Sequence, residues 1–322
     1  MTNVVEVRDL KLHYLTSKGP VRAVDGIDFS LATGETLGVV GESGCGKTTI
    51  GLGMLRMPTP PGKIVGGSIV IDGTDIVPLS ENQLRRSVRW QSISMVFQGA
   101  MNCLTPVFTV GKQMMETLRQ HKEMDQAAAD EIIARYLGLV GLPPDIVRRY
   151  PHELSGGMKQ RVVIAMALFL EPKVVILDEP TTALDVIVQA QILNVVKDLK
   201  RRLGVSMIFI THDLATEAEV ADRIMVMYAG KVAEIAPNRM VYDRPPCHPY
   251  TQRLLAATPR LHAKVDELAF IPGAPPDLLD PPKGCRFQPR CSVAMEICAA
   301  REPPLVEIEP EHRVACWRCT HA

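Results

Sequence analysis

The stretch GESGCGKTT, Gly41–Thr49, decides the fold. It has the form G-x-x-x-x-G-K-[ST], follows the apolar run TLGVV and precedes IGLGMLRM, which reads as a helix. In that setting the glycines let backbone N–H groups close around phosphate oxygens, and the start of the helix adds a positive dipole end. The candidate nucleotide-binding residues are Gly41, Ser43, Gly44, Cys45, Gly46, Lys47, Thr48 and Thr49. Lys47 suits the β- and γ-phosphates, and the Thr48 hydroxyl suits Mg²⁺. Cys45 has two readings: a thiolate favoured by the helix start, or a buried and inert thiol.

A second stretch, VVILDEP (Val174–Pro180), completes the pattern. Four apolar residues make a buried strand that delivers two acids at its C-terminal end, where parallel sheets bind their ligands. Asp178 is a candidate Mg²⁺ ligand, and Glu179 is placed to polarise an attacking water. Around these motifs the chain alternates strand-like and helical runs. VVEVRDLKLHY, VDGIDFSLATG and GSIVIDG read as strands, and the segment from about Lys112 to Leu170 reads as helices. VSMIFITHD is a further strand, with a helix over Val186–Leu203 before it, and RIMVMYAGKVAEIA is a strand pair turned at Ala229-Gly230. Strand, helix, strand with apolar strands argues for a parallel α/β sheet.

The bulk properties narrow the class. The chain has 322 residues, 46% hydrophobic and 22% charged, as an ordinary globular protein has. Formal net charge is zero, so no overall field favours nucleic acid. The N-terminus carries no secretory pattern. The longest apolar run, Val162–Leu170, falls short of the roughly 20 residues that span a bilayer. A cytosolic setting is expected, where paired cysteines hold a metal or stay free rather than form disulfides.

A signature between the two halves says which phosphate-loop protein this is. LSGGMKQR, Leu154–Arg161, resembles the LSGGQ signature of the ABC ATPases, with Met158 in place of the usual Gln. Other motifs follow in family order: Tyr14 in LHYL, Gln98 in MVFQ, Asp185 in TTALD and His212 in THD. The resemblance implies an α/β P-loop NTPase fold with a RecA-like parallel sheet core. To this it adds an antiparallel β subdomain and an α-helical subdomain over about 100–170. It further implies that Tyr14 stacks on adenine and that Gln98 links Mg²⁺ and water to the helical subdomain. His212 would contact the γ-phosphate, and Asp185 would form the D-loop. Two such domains pair head to tail, so Ser155, Gly156 and Gly157 would meet the ATP of a partner. With one phosphate loop, one LSGG and no sustained heptads, the chain resembles the stand-alone ATPase subunit of a transporter.

Composition shifts near residue 240, where prolines cluster in RPPCHPY, IPGAPP, DPPKG and REPP. An ATPase domain over 1–240 and a small appended domain over 241–322 are expected. Five of the eight cysteines lie between Cys285 and Cys319. Their spacing is not the tight pairing of structural zinc, apart from Cys316 and Cys319. On spacing alone, metal ligands and spare thiols are both open readings. CHPYTQRLLAATPR and IPGAPPDLLDPPKGCRFQPRC are similar to the extension of the dipeptide and oligopeptide importer ATPases. NCLTPVFTVGKQM, just after the Q-loop, is similar to the same branch. That resemblance implies a peptide importer with a second, sister ATPase, two membrane permease subunits and an external binding protein. It places this chain at the cytoplasmic face of the membrane. A nickel or other small-solute importer is the alternative cargo, and a soluble ABC ATPase acting on a macromolecule the alternative class. The branch also implies a [4Fe–4S] cluster on Cys285, Cys291, Cys298 and Cys316, with Cys319 free and zinc as the other metal reading. Few apolar runs in this proline-rich tail can build a core, so a metal cross-link would supply stability.

Overall fold

The computed structural model describes residues 2–243, 247–257 and 271–320. Its strands are β1 (Asn3–Thr16), β2 (Gly19–Ala32), β3 (Thr36–Val40), β4 (Gly62–Ile71), β5 (Thr74–Asp75), β6 (Ile93–Val96), β7 (Val174–Asp178), β8 (Ser206–Ile210), β9 (Arg223–Tyr228), β10 (Lys231–Pro237), β11 (Val306–Glu309) and β12 (His312–Val314). Its helices are α1 (Lys47–Met54), α2 (Glu81–Gln83), α3 (Val110–His121), α4 (Gln126–Leu139), α5 (Gly156–Leu168), α6 (Val186–Leu203), α7 (Leu214–Val220), α8 (Asn238–Tyr242), α9 (Pro249–Ala256), α10 (Glu296–Ala300) and α11 (Trp317–Thr320).

The chain divides into two compact units. The first comprises Met1–Val5, Leu31–Glu35 and Val70–Phe209. In it β6 and β7 run parallel, with Ile93 opposite Val174 and Val96 opposite Leu177. Every residue of β7 is buried, as a strand covered on both faces requires. The expected helical stretch resolves into α3, α4 and α5, and each starts at a side-chain cap. Thr109, Asp125 and Ser155 accept from the backbone N–H three residues on, which supplies a partner for one of the orphan donors of the first turn. Helix α6 spans the residues expected of it and is capped by Asp185.

The second unit comprises Glu6–Ser30, Thr36–Ile69 and Ile210–Ala322. Here β3 pairs with β9 in parallel, and β9 turns through Ala229-Gly230 into antiparallel β10, the expected strand pair. The tail departs from its proline-rich reading. Strand β12 adds to the edge of β10, with Glu234 opposite Val314, and β11 pairs onto β12. The alternation behind β12 is too short to read as a strand: His312 and Val314 are buried and Arg313 half-exposed. A core cluster joins strand and tail residues, including Val40, Tyr228, Tyr250 and Phe287, with Cys285 and Cys291 packed against it.

Candidate functional site

In the second unit, the loop after β3 is shaped by its glycines. Gly41 has φ 149°, and a Cβ there would sit 2.2 Å from the Met227 carbonyl. Gly46, the residue before α1, has φ 105°, and its Cβ would sit 2.3 Å from the Ala23 carbonyl. The left-handed backbone and the close approach together admit only glycine at both places. Ser43 and Gly44 are exposed, and Thr48 and Thr49 half-buried. Lys47 is buried; its ammonium donates to the carbonyls of Gly41 at 2.7 Å and Glu42 at 3.1 Å. Tyr14, half-buried, brings its hydroxyl to within 3.4 Å of the Thr49 hydroxyl. His212 is exposed just ahead of α7, whose start is capped by Asp213.

Of the two readings of Cys45, the structure favours the buried thiol. The thiol is buried, and burial pushes its pKa up against the pull of Lys47, whose Nζ lies 3.8 Å from Sγ. Proximity to a helix start lowers a thiol only where the thiolate stays solvated or paired.

In the first unit, Asp178 ends β7 almost fully buried. Glu179 follows with φ 47°, an unfavourable backbone for a side-chain-bearing residue. Its Oε2 accepts from Gln98 Nε2 and from Thr182 Oγ1, each at 2.9 Å. The structure thus brings Gln98 and Glu179 together, which spacing alone did not require. Ser155 is exposed and caps α5, its hydroxyl accepting from the Met158 N–H at 3.3 Å. Gly156 is exposed and Gly157 buried. Asp185 accepts from the Val188 N–H at 3.0 Å.

Sequence reading missed Glu217. It is fully buried on α7, and neither carboxyl oxygen has a hydrogen-bond partner. Burial drives its pKa well above the usual carboxylate range; Lys47 opposes this and Asp213 adds to it. Its carboxyl fills the space over Gly38, where a Cβ would lie 1.8 Å from Oε1.

The tail cysteines Cys285, Cys291, Cys298 and Cys316 line one small pocket. The Cys285 N–H donates to the Cys298 carbonyl at 2.7 Å. Burial pushes the Cys285 thiol up to about 11, and the three other thiols add to it. A hydrogen bond from Cys319 instead lowers the Cys316 thiol. Cys319 carries no disulfide, and its Sγ donates to the Cys247 carbonyl at 3.6 Å. Among the described residues, one set of three His, Cys, Asp or Glu side chains has its ligand atoms within 4.8 Å of one another: Glu234, Cys247 and His312. Glu234 accepts from the N–H groups of Cys247 and His248 at 3.1 Å and lies 2.8 Å from His312 Nε2. The carboxylate is thus used as a latch joining β10, the start of α9 and β12. No three tail thiols are as close, whereas a single zinc with bonds of about 2.3 Å sets its sulfurs roughly 3.8 Å apart. Four thiols lining one pocket are a donor set that suits zinc and iron alike.

A glycine-shaped loop between strand and helix, with a buried lysine held at its neck, defines a P-loop nucleotide-binding protein. Comparison with known proteins gives the branch. The family described as ABC transporter matches residues 24–182, and the one described as oligopeptide/dipeptide transporter, C-terminal region, matches residues 233–298. The chain is 48% identical to the oligopeptide transport ATP-binding protein OppD of Bacillus subtilis, over 98% of this chain and 89% of that protein. It is 47% identical to OppD of Escherichia coli, over 98% and 93%. Among solved structures, a dimeric ATP-binding cassette in a post-hydrolysis state, bound to ADP and Pi, matches 73% of this chain and 99% of its own, with a TM-score of 0.63 and 26% identity. The chain belongs to the ABC transporter ATP-binding family, in the branch that carries the oligopeptide/dipeptide transporter C-terminal region.

Proposed function

We propose that this chain is the ATP-hydrolysing subunit that powers import of di- and oligopeptides through a membrane ABC transporter. The observation that carries the reading is the likeness to oligopeptide transport ATP-binding proteins along 98% of the chain, tail included. The ATPase portion is assigned to 1–240 and the branch-specific extension to 241–322. The loop Gly41–Thr49 holds the phosphates, with Lys47 on the β- and γ-phosphates and Tyr14 against the adenine. Thr48, Gln98 and Asp178 are the residues that would hold Mg²⁺; the hydroxyl, amide and carboxylate oxygens suit a hard cation. Glu179 polarises the attacking water, and His212 meets the γ-phosphate. Ser155, Gly156 and Gly157 serve the ATP of a second ATPase subunit, with Asp185 beside that contact. Closure of the pair on ATP, and reopening after hydrolysis, drives two permease subunits fed by an external binding protein.

No helix among the described residues is long and apolar enough to cross a membrane. The role proposed is peripheral, at the cytoplasmic face, on the likeness to peptide-transporter ATP-binding proteins. In cells deleted for this chain, uptake of a labelled dipeptide or tripeptide is restored by the wild-type chain and not by Lys47→Ala. Peptide uptake that survives the deletion, in cells with no sister importer, would remove the cargo assignment. Restored nickel uptake without peptide uptake would move it to the other cargo of the branch.

For the tail we propose a [4Fe–4S] cluster on Cys285, Cys291, Cys298 and Cys316, supported by the four thiols that line one pocket. When bound, it would cross-link the loops that carry these four cysteines. Protein purified without oxygen is expected to contain iron and sulfide and to absorb in the visible range. Cys298→Ser should lose both and unfold its tail at lower temperature. Zinc in place of iron, or colourless metal-free protein, would overturn the assignment.

A further inference from the structure

Glu42 is the second residue of the phosphate loop, and no motif assigns it a role. The structure holds it from three sides. Its carboxylate accepts a two-pronged contact from Arg290, Nη1 to Oε2 at 2.6 Å and Nη2 to Oε1 at 2.9 Å. Its N–H donates to the Tyr250 hydroxyl at 2.9 Å. Its carbonyl accepts from the ammonium of Lys47. Arg290 and Tyr250 both belong to the C-terminal extension; Lys47 is the phosphate-binding lysine.

Arg290 is itself rigidly placed. Its Nε donates to the Pro272 carbonyl at 2.8 Å, Nη2 to the Ile271 carbonyl at 3.1 Å and Nη1 to the Tyr228 hydroxyl at 3.2 Å. The side chain is 5% exposed, so this is no solvated surface pair. The guanidinium lies 5.7 Å from the Tyr228 ring, which packs with Tyr250 and Phe287 at centroid distances of 4.6–5.3 Å. A second arginine of the extension also pairs with an acid of the ATPase portion. Arg286 donates to Asp25, whose other oxygen lies 3.1 Å from His13 Nε2, the neighbour of Tyr14.

We propose that the C-terminal extension is a working part of the nucleotide site: Arg290, with Tyr250, clamps Glu42 and so sets the shape of the phosphate loop for ATP. The inference rests on the P-loop reading given under Proposed function. Arg290 is a positioning residue, acting through Glu42 on the carbonyls that steady Lys47. A planar guanidinium locked by three other acceptors loses little freedom on pairing, so the fork fixes the carboxylate in both distance and angle.

The test uses the full-length chain and a fluorescent ATP analogue. Arg290→Ala is expected to weaken binding about tenfold, as loss of a charge-assisted bidentate contact implies. Arg290→Lys, which keeps the charge but not the fork, recovers part of the loss. Glu42→Gln weakens binding similarly, and the Arg290→Ala/Glu42→Gln double variant is no weaker than the worse single. A freed loop also exposes Cys45, so alkylation of Cys45 relative to exposed Cys103 should quicken in both single variants. A purely structural pair would lower the melting temperature without changing that ratio. If folded Arg290→Ala binds the analogue as the wild type does, the clamp is wrong and the P-loop reading stands. If Arg290→Ala does not fold, Glu42→Gln carries the test, and unchanged affinity there overturns the clamp. If the wild type itself binds no analogue, or Lys47→Ala binds as well as wild type, the P-loop reading fails instead.

Discussion

Glu179→Gln is expected to bind ATP normally and to lower steady-state phosphate release by at least about 100-fold, the lower end of what a positioned general base contributes. The substitution exchanges one carboxyl oxygen for an amide at constant size. It removes the charge that attracts a proton from water and little else. Oε2 of Glu179 is held by Gln98 and Thr182 at 2.9 Å, and a glutamine carbonyl oxygen can accept the same two donors. Loss of turnover would therefore report on basicity rather than on a collapsed site. Saturating ATP should also trap the variant in a closed pair with its partner subunit, visible as a larger species on size exclusion. Phosphate release within a few-fold of wild type would strip Glu179 of its role and leave its strained backbone, at φ 47°, without a functional explanation.

Glu217→Gln is expected to stabilise the protein at neutral pH, by on the order of 1–3 kcal/mol, and to do nothing at pH 4. The sign follows from the direction of the shift. Burial raises the folded pKa of Glu217 well above 4.5. Below pH 4.5 the folded and unfolded chains both carry the protonated acid, so the group costs nothing extra. As pH rises, the unfolded chain ionises while the folded one does not. Stability falls until the raised folded pKa is passed. Glutamine has no proton to lose, so thermal melts of the variant should drift less between pH 4 and 8, with a gap that opens as pH increases. A gap that closes with rising pH, or none at any pH, would mean that Glu217 is ionised and paired in the native state. Because Glu217 lies over Gly38 and within electrostatic reach of Lys47, the same variant reads whether that buried acid also tunes the lysine.

Local chemistry was open to reading. The phosphate loop, the Asp-Glu strand end and the Val186–Leu203 helix each depend on residues close in sequence. The glycines at 41 and 46 were legible as part of the pattern, although the carbonyls that occupy the place of a Cβ there, those of Met227 and Ala23, come from distant parts of the chain. Strand β7 could be seen because five successive buried residues leave no solvent face. Strands β11 and β12 could not, since three or four residues among prolines carry too little periodicity.

The sequence by itself therefore determined the class of the protein and suggested most of the residues proposed for its nucleotide, for those rest on spacings of a few residues along the backbone. Tertiary structure alone decided what the charges outside the motifs do. Arg290 meets Glu42 across 248 residues and Arg286 meets Asp25 across 261. Glu217 is a buried, unpaired acid only because α7 packs its carboxyl over Gly38. A charged side chain looks the same in sequence whether it ends in water or in a buried pair, and the path of the chain between the partners makes the choice.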